Sequence, residues 1–320
     1  MRIVVFGNER RVGALEGERI VDLNRADPAL PADLEAFITA GDDAIERAKS
    51  AVTRASGTAV VSQKDVRVFA PTVRRPRVGC AAGNYAQHTL GSARRKGAEA
   101  SSALGALGAT ATLTAEDLAR KTRETERPRG FWKDFALPSG PEDEIPYPAR
   151  AERFDYEGEV AVVIGRAAKD VAAGKGGALI WGITLLNDWS IRGQNVKDSL
   201  SFNLGKNFDG GASVGPCILV GEGDPADLVV ETRVNGELRQ HYNSGDMIWS
   251  HAEYIEYLSR DFTLLPGDLI AGGSGPGSAT DSEKKERAPG EPSWWLKVGD
   301  VVEVSSPSIG TLRNRIVAKR

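Results

Sequence analysis

Short alternating runs of apolar and polar residues open the chain. RIVVFG, RVGALEG and ERIVDL read as strands, because a period of two puts every second side chain on one face. A helical stretch follows from about Ala32 to Val52, and the Pro- and Arg-rich APTVRRPRV at residues 70–78 marks a junction. These features predict a small N-terminal β-rich domain over residues 1–70 and a larger domain over 71–320. After the junction, VGCAAGNYAQH predicts a strand and then a turn that carries His88.

The pattern then lapses. Residues 89–130 begin small and polar (SARRKGAEASSALGALGATATL) and continue as a charged helix, TAEDLARKTRETERPRG, that stops near Pro128. An insertion of this length is either a lid over a site or a solvated excursion. From Phe154 onward β signals dominate: DYEGEVAVVIG, ALIWGITLLND, DLVVETRVNGEL, GDLIAGG and GDVVEVSSPSIGTL. The NG at 235–236 predicts a hairpin, SHAEYIEYLSR a helix over Ser250–Arg260, and the Gly-, Pro- and charge-rich stretch 273–293 a long loop. The fold class expected is α+β, mostly β. No GxGxxG follows the first strand, so neither a doubly wound sheet nor a dinucleotide site is expected.

Composition bears on partners more than on fold. The 41% hydrophobic and 27% charged content of the 320 residues is that of a globular protein, and no apolar run approaches the roughly 18 residues of a membrane span. A net charge of −3 argues against a nucleic-acid footprint. It leaves room for an anionic substrate in a locally basic cleft. The opening MRIVVFGNERR lacks the layout of a signal peptide, which makes a cytoplasmic location the default expectation. Cys80 and Cys217 lie in apolar stretches away from any metal-type spacing and are expected in the core.

Chemistry enters at FDYEGEVAVVIG. Strand periodicity puts Glu157 and Glu159 on one face, their Cα atoms about 7 Å apart. ALIWGITLLND is a long apolar strand ending in Asp188, placed to join them. Oxygen ligands with room for water or substrate suit Mg²⁺ or Mn²⁺, with Ca²⁺ a further candidate. Zinc is disfavoured by the lack of a His or Cys pair at ligand spacing. Arg192 and Lys206 follow in NDWSIR and LGKNFD, and would balance the acids and hold an anion.

The ordered set GNYAQH, FWKDFALPSGPEDEIPYP, DYEGEVAVVIG, NDWSIR, LGKNFD, NGELRQ, MIWS, LLPGDLIAGGSGPG and GDVVEV resembles the fumarylacetoacetate hydrolase superfamily over most of residues 78–305. The resemblance implies a mixed β-roll catalytic domain, a homodimer, and a metal on Glu157, Glu159 and Asp188. It further implies catalytic roles for His88 and Lys206, and substrate contacts from Arg192, Asn195, Ser274 and Lys133. The substrate class it implies is a small anionic 2-oxo acid, with no nucleic acid or membrane as partner. Three departures stand out. The glutamate that follows the family's histidine by three residues is Gly91 here; Asn195 replaces a glutamine, with Gln194 beside it; and the loop GGSG around Ser274 lacks a proline.

Three functions follow. The first is hydrolysis of a carbon–carbon bond in an acylpyruvate or other 2,4-dioxo acid. The second is decarboxylation, dehydration or isomerisation of a 2-oxo acid on the same metal site. The third is a binding module without catalysis, which retention of all the charged residues argues against. Because His88 lacks its neighbouring glutamate, a carboxylate from elsewhere is expected beside it: Glu116, Asp117 or Glu283.

Overall fold

The computed structural model describes residues 1–96, 114–135, 137–193, 201–282 and 293–319. Its main sheet runs Val60–Ser62, Arg19–Asp22, Arg11–Glu16, Arg2–Phe6, Ala212–Val220, Ile180–Asp188, Gly158–Ile164, Leu269–Ser274, Val78–Ala81 and Gly130–Lys133, with Val68–Phe69 pairing beside Arg2–Phe6. All these pairs are antiparallel except Leu269–Ser274 with Val78–Ala81. A second sheet of five strands contains Glu237–Asn243, Val229–Val234, Val301–Ser306, Gly310–Val317 and Glu144–Pro146. A short pair, Arg153–Asp155 with Ser190–Arg192, completes the set. The molecule is mostly β, as expected.

The central strands read as unbroken apolar runs because both faces of the main sheet are covered. In Gly158–Ile164, Ala161 and Val163 face a cluster that includes Phe37, Ile38 and Leu186. Val160 faces the other way, toward Val230 and Val304 of the second sheet. Glu157 and Glu159 share the parity of Ala161 and Val163, so the strand presents them together at the end of its inner face.

The first 70 residues hold the expected strands, and these extend the main sheet edge-on: Arg2 and Ile3 stand opposite Leu219 and Ile218. The helical stretch forms as Leu34–Thr39 and Gly41–Arg54. The NG hairpin joins Val229–Val234 to Glu237–Asn243. The later helix spans His251–Leu258, opened by a Ser250–Glu253 capping box, and the charged helix spans Ala115–Thr125. One expectation is corrected. His88 does not sit in a turn but in the first turn of helix Ala86–Lys96. Small residues and Gln87 give this segment no strong turn former once Asn84 has bonded to the backbone at Trp249 and Gly272.

Gly158, between the two glutamates, is where the sheets touch. A Cβ there would lie 2.3 Å from Thr232 Oγ1 and 3.0 Å from Val304 Cγ1. Gly158→Ala is therefore expected to lower stability by about 1–3 kcal/mol through overpacking, read as a shift in the denaturation midpoint. An unchanged midpoint would show that the second sheet yields at this contact.

Candidate active site

Strand ends bring the acids together. Asp188 closes Ile180–Asp188, and its amide donates to the Glu157 carbonyl at 2.8 Å. One carboxylate oxygen from each of Glu157, Glu159 and Asp188 lies within 4.8 Å of the others, and all three residues are buried. This is the cluster expected from the sequence.

Cations surround it. Lys206, at the end of helix Ser201–Lys206, donates from Nζ to Glu157 Oε2 at 2.5 Å, Asp188 Oδ2 at 2.7 Å and Ser190 Oγ at 2.6 Å. Lys133, wholly buried, donates to Asp188 Oδ1. Arg192 donates to Glu157 Oε1 and, through Nε, to Asp155 Oδ2 at 3.1 Å. Burial alone would raise the Glu157 carboxyl, but Lys206 and Arg192 outweigh it and hold Glu157 well below the ordinary carboxylate range. Glu159 goes the other way. Burial and then the charges of Asp188 and Glu157 push it well up, against the Lys206 charge and a Gly273 N–H donated at 3.0 Å. Glu159 is thus the acid whose ionised form the chain's own cations leave uncompensated. Hard oxygen donors with a surplus of negative charge fit a divalent cation such as Mg²⁺ or Mn²⁺. Glu157, Glu159 and Asp188 are the residues that would hold it.

His88 completes the cluster from the helix side. Its Nδ1 is 2.7 Å from Asp281 Oδ2. Burial lowers the imidazole's proton affinity, Asp281 and then Glu157 raise it against Arg192, and the net displacement is upward. The turn that carries Asp281 is bonded through Thr280 to Asp155, and Asp155 to the Arg192 that holds Glu157, which links His88 to the carboxylate cluster. A carboxylate from elsewhere does replace the missing neighbour, but not one of those expected. Asp117 bonds to Thr114 and Arg120 on the solvent side, Glu116 lies on that same helix, and Glu283 lies outside the described residues. Gly91 explains the exchange: a Cβ at position 91 would meet Asp281 Cβ at 3.1 Å, so glycine vacates the space that Asp281 fills.

Ser274 is buried beside the acids, opposite Glu159 in the strand register. Its Oγ accepts from Gln240 Nε2 at 2.8 Å. Asn195 and Gln194 lie outside the described residues. The sequence reading missed Asp155, Asp281 and Gln240. Asp155 is fully buried and joined to Arg192 and Thr280, and the FDYEGE run would have flagged it as a third acid in the same motif. The other histidines are elsewhere: His251 is buried against the Val160 carbonyl, its pKa driven down to about 4 by burial, and His241 is an exposed partner of Glu231. Both cysteines are buried.

Residues 78–317 match the family model described as fumarylacetoacetate (FAA) hydrolase C-terminal. The chain belongs to this family. Rat "Oxaloacetate tautomerase Fahd2a, mitochondrial" is 29% identical over 325 residues, covering 99% of this chain and 92% of the relative. The solved fumarylacetoacetate hydrolase of psychrophilic Exiguobacterium antarcticum superposes with a TM-score of 0.70 at 27% identity, each chain covered completely. Maleylpyruvate hydrolase from Sphingobium sp. SYK-6, solved with manganese(II) and pyruvate, shares the fold with a TM-score of 0.72 at 22% identity, again over both whole chains. At the family level the chain is an enzyme of a group that includes hydrolases and a tautomerase. The cytoplasmic expectation is corrected by the same comparison: a relative matched over nearly the whole chain is mitochondrial by name, so a missing signal-peptide pattern does not assign a compartment.

Proposed function

We propose that the protein catalyses proton transfer at C3 of a short 2-oxo acid, interconverting the enol and keto forms of an oxaloacetate-type diacid. The observation that carries this reading is the likeness to an oxaloacetate tautomerase over 99% of this chain. The site is equipped for the chemistry. In ketonisation one proton is added at C3 and one is lost from the C2 hydroxyl, with no other bond changed. Asp281 fixes His88 through Nδ1, which leaves Nε2 to carry the proton to or from C3. The upward displacement of His88 beside Asp281 favours the imidazolium form. Arg192 supplies a guanidinium charge for a substrate carboxylate, and Lys206 places a buried positive charge where enolate charge would develop. A divalent cation bound by Glu157, Glu159 and Asp188 would supply Lewis-acid polarisation of the 2-oxo group. Asn195, Ser274 and Lys133 belong to the same proposed site, as substrate contacts.

Hydrolysis of a 2,4-dioxo acid is the second reading, favoured by the likeness to the Exiguobacterium hydrolase. The same His88–Asp281 pair could activate water. The two separate in one assay with Mg²⁺ or Mn²⁺, in which enol absorbance of oxaloacetate and pyruvate release from an acylpyruvate are followed side by side. Faster decay of the enol without pyruvate release is expected. His88→Ala should remove about 10²–10⁴-fold of that acceleration. Pyruvate release with an unaltered enol lifetime would make the hydrolase reading the correct one.

A further inference from the structure

We propose that Asp155 is a positioning residue that joins the proton-moving half of the site to its anion-holding half. The inference rests on the reading of His88 as the proton carrier. Asp155 is fully buried on the strand just before Glu157. Its Oδ1 accepts the Ala279 N–H at 2.8 Å. Its Oδ2 accepts the Thr280 hydroxyl at 2.6 Å and the Thr280 N–H at 3.3 Å. These bonds fix the short turn Ala279–Ser282, which carries Asp281, the partner of His88. A bond from the Gly277 N–H to Asp281 Oδ2 at 3.0 Å steadies the same carboxylate. On its other side Asp155 Oδ2 holds Arg192, from Nε at 3.1 Å and Nη2 at 3.0 Å.

One carboxylate therefore sets two groups that the chemistry uses at the same moment. A neutral acceptor could hold the turn, and a surface acid could hold the arginine. Here Oδ1 takes the Ala279 N–H while Oδ2 takes Thr280 and Arg192 together, which requires two accepting oxygens and a charge that an amide lacks. The turn holds Asp281 at the distance its hydrogen bond to His88 requires, and geometry of this kind governs rate steeply.

The two halves separate in kinetics. Thr280→Val, which removes only the hydroxyl bond to Asp155, should lower kcat by about threefold to tenfold with KM unchanged. Asp155→Asn keeps one accepting oxygen, so it must give up either the Ala279 N–H on Oδ1 or the Thr280 and Arg192 contacts on Oδ2. In both cases it removes the charge that faces Arg192, and it should both lower kcat by about tenfold or more and raise KM. A purely structural role would multiply into any background. If Asp155 acts through His88, both kcat losses shrink to within about twofold when His88→Gln is already present. The same factors reappearing in His88→Gln would overturn the proposal while leaving His88 as proton carrier. Wild-type turnover in His88→Gln would overturn both. Should Asp155→Asn fail to fold, Thr280→Val carries the same cycle alone.

Discussion

Lys206→Met is expected to slow turnover by about 10²–10³-fold, the usual cost of deleting a preorganised charge that meets developing negative charge. Methionine has nearly the length of lysine, so the loss reports the ammonium more than the packing. The same change should destabilise the metal-free protein by about 3–5 kcal/mol, because Glu157 and Asp188 are left buried without their shared donor. Mn²⁺ should restore much of that stability, since a divalent cation neutralises the same oxygens, and restore little of the rate. Melting curves with and without MnCl₂, beside steady-state rates, separate the two effects. Turnover within a few-fold of wild type would remove Lys206 from the reacting centre.

Glu159→Gln should do the opposite to the metal-free protein. Glu159 is pushed up by burial and by its acidic neighbours, so the folded state holds a proton there that the unfolded chain releases. Its ionisation costs stability progressively as pH rises from the ordinary carboxylate range to the raised folded value, and the loss is constant above that. Glutamine abolishes this dependence, and the metal-free variant should melt higher than wild type at neutral pH. Glu157 has the reverse sign, since its contribution is present above the unfolded carboxylate range and is lost as acid protonates the folded form. Metal stabilisation should also vanish in Glu159→Gln. Wild type at a hundredfold excess over Kd gains about 2.7 kcal/mol from a bound ion. A Glu159→Gln protein that keeps its full Mn²⁺-induced rise in melting temperature would strike Glu159 from the ligand set.

The acids were legible because strand periodicity is local: two residues apart on one strand means one face, and a buried strand that ends in Asp188 needs a reason to do so. Arg192 and Lys206 could be read for the same reason, as charges that follow the acids in order. Asp281 could not. It lies 193 residues from His88, in a loop whose composition says only that it is a loop. The expected partners at positions 116 and 117 were favoured by nearness in the chain, and the helix that carries them turns Asp117 outward to Thr114 and Arg120. The one local clue was a negative one, the glycine at 91 where the family pattern has a glutamate. Its meaning is steric and appears only when the far loop is placed against it. The helical setting of His88 escaped for a related reason: Asn84, the capping residue type in GNYAQHTL, has its side chain bonded to the backbone of residues 249 and 272.

The edge-on pairing of Arg2–Phe6 with Ala212–Val220 bears on how the chain can be cut. The family match begins at residue 78, which invites a shortened version starting there. Such a fragment would leave the amides and carbonyls at Ile218 and Leu219 without the partners they find in Arg2 and Ile3. It would also strip Ile3, Val5, Val12 and Ala14 from the cluster that backs Ala161, Val163 and Leu186. A bare, flat, apolar border of this kind invites strand addition from other molecules. The strand so uncovered lies directly beside the one that delivers Asp188. The opening residues thus serve as the hem of the catalytic sheet, and the start of the family match is not a boundary at which this protein can be safely divided.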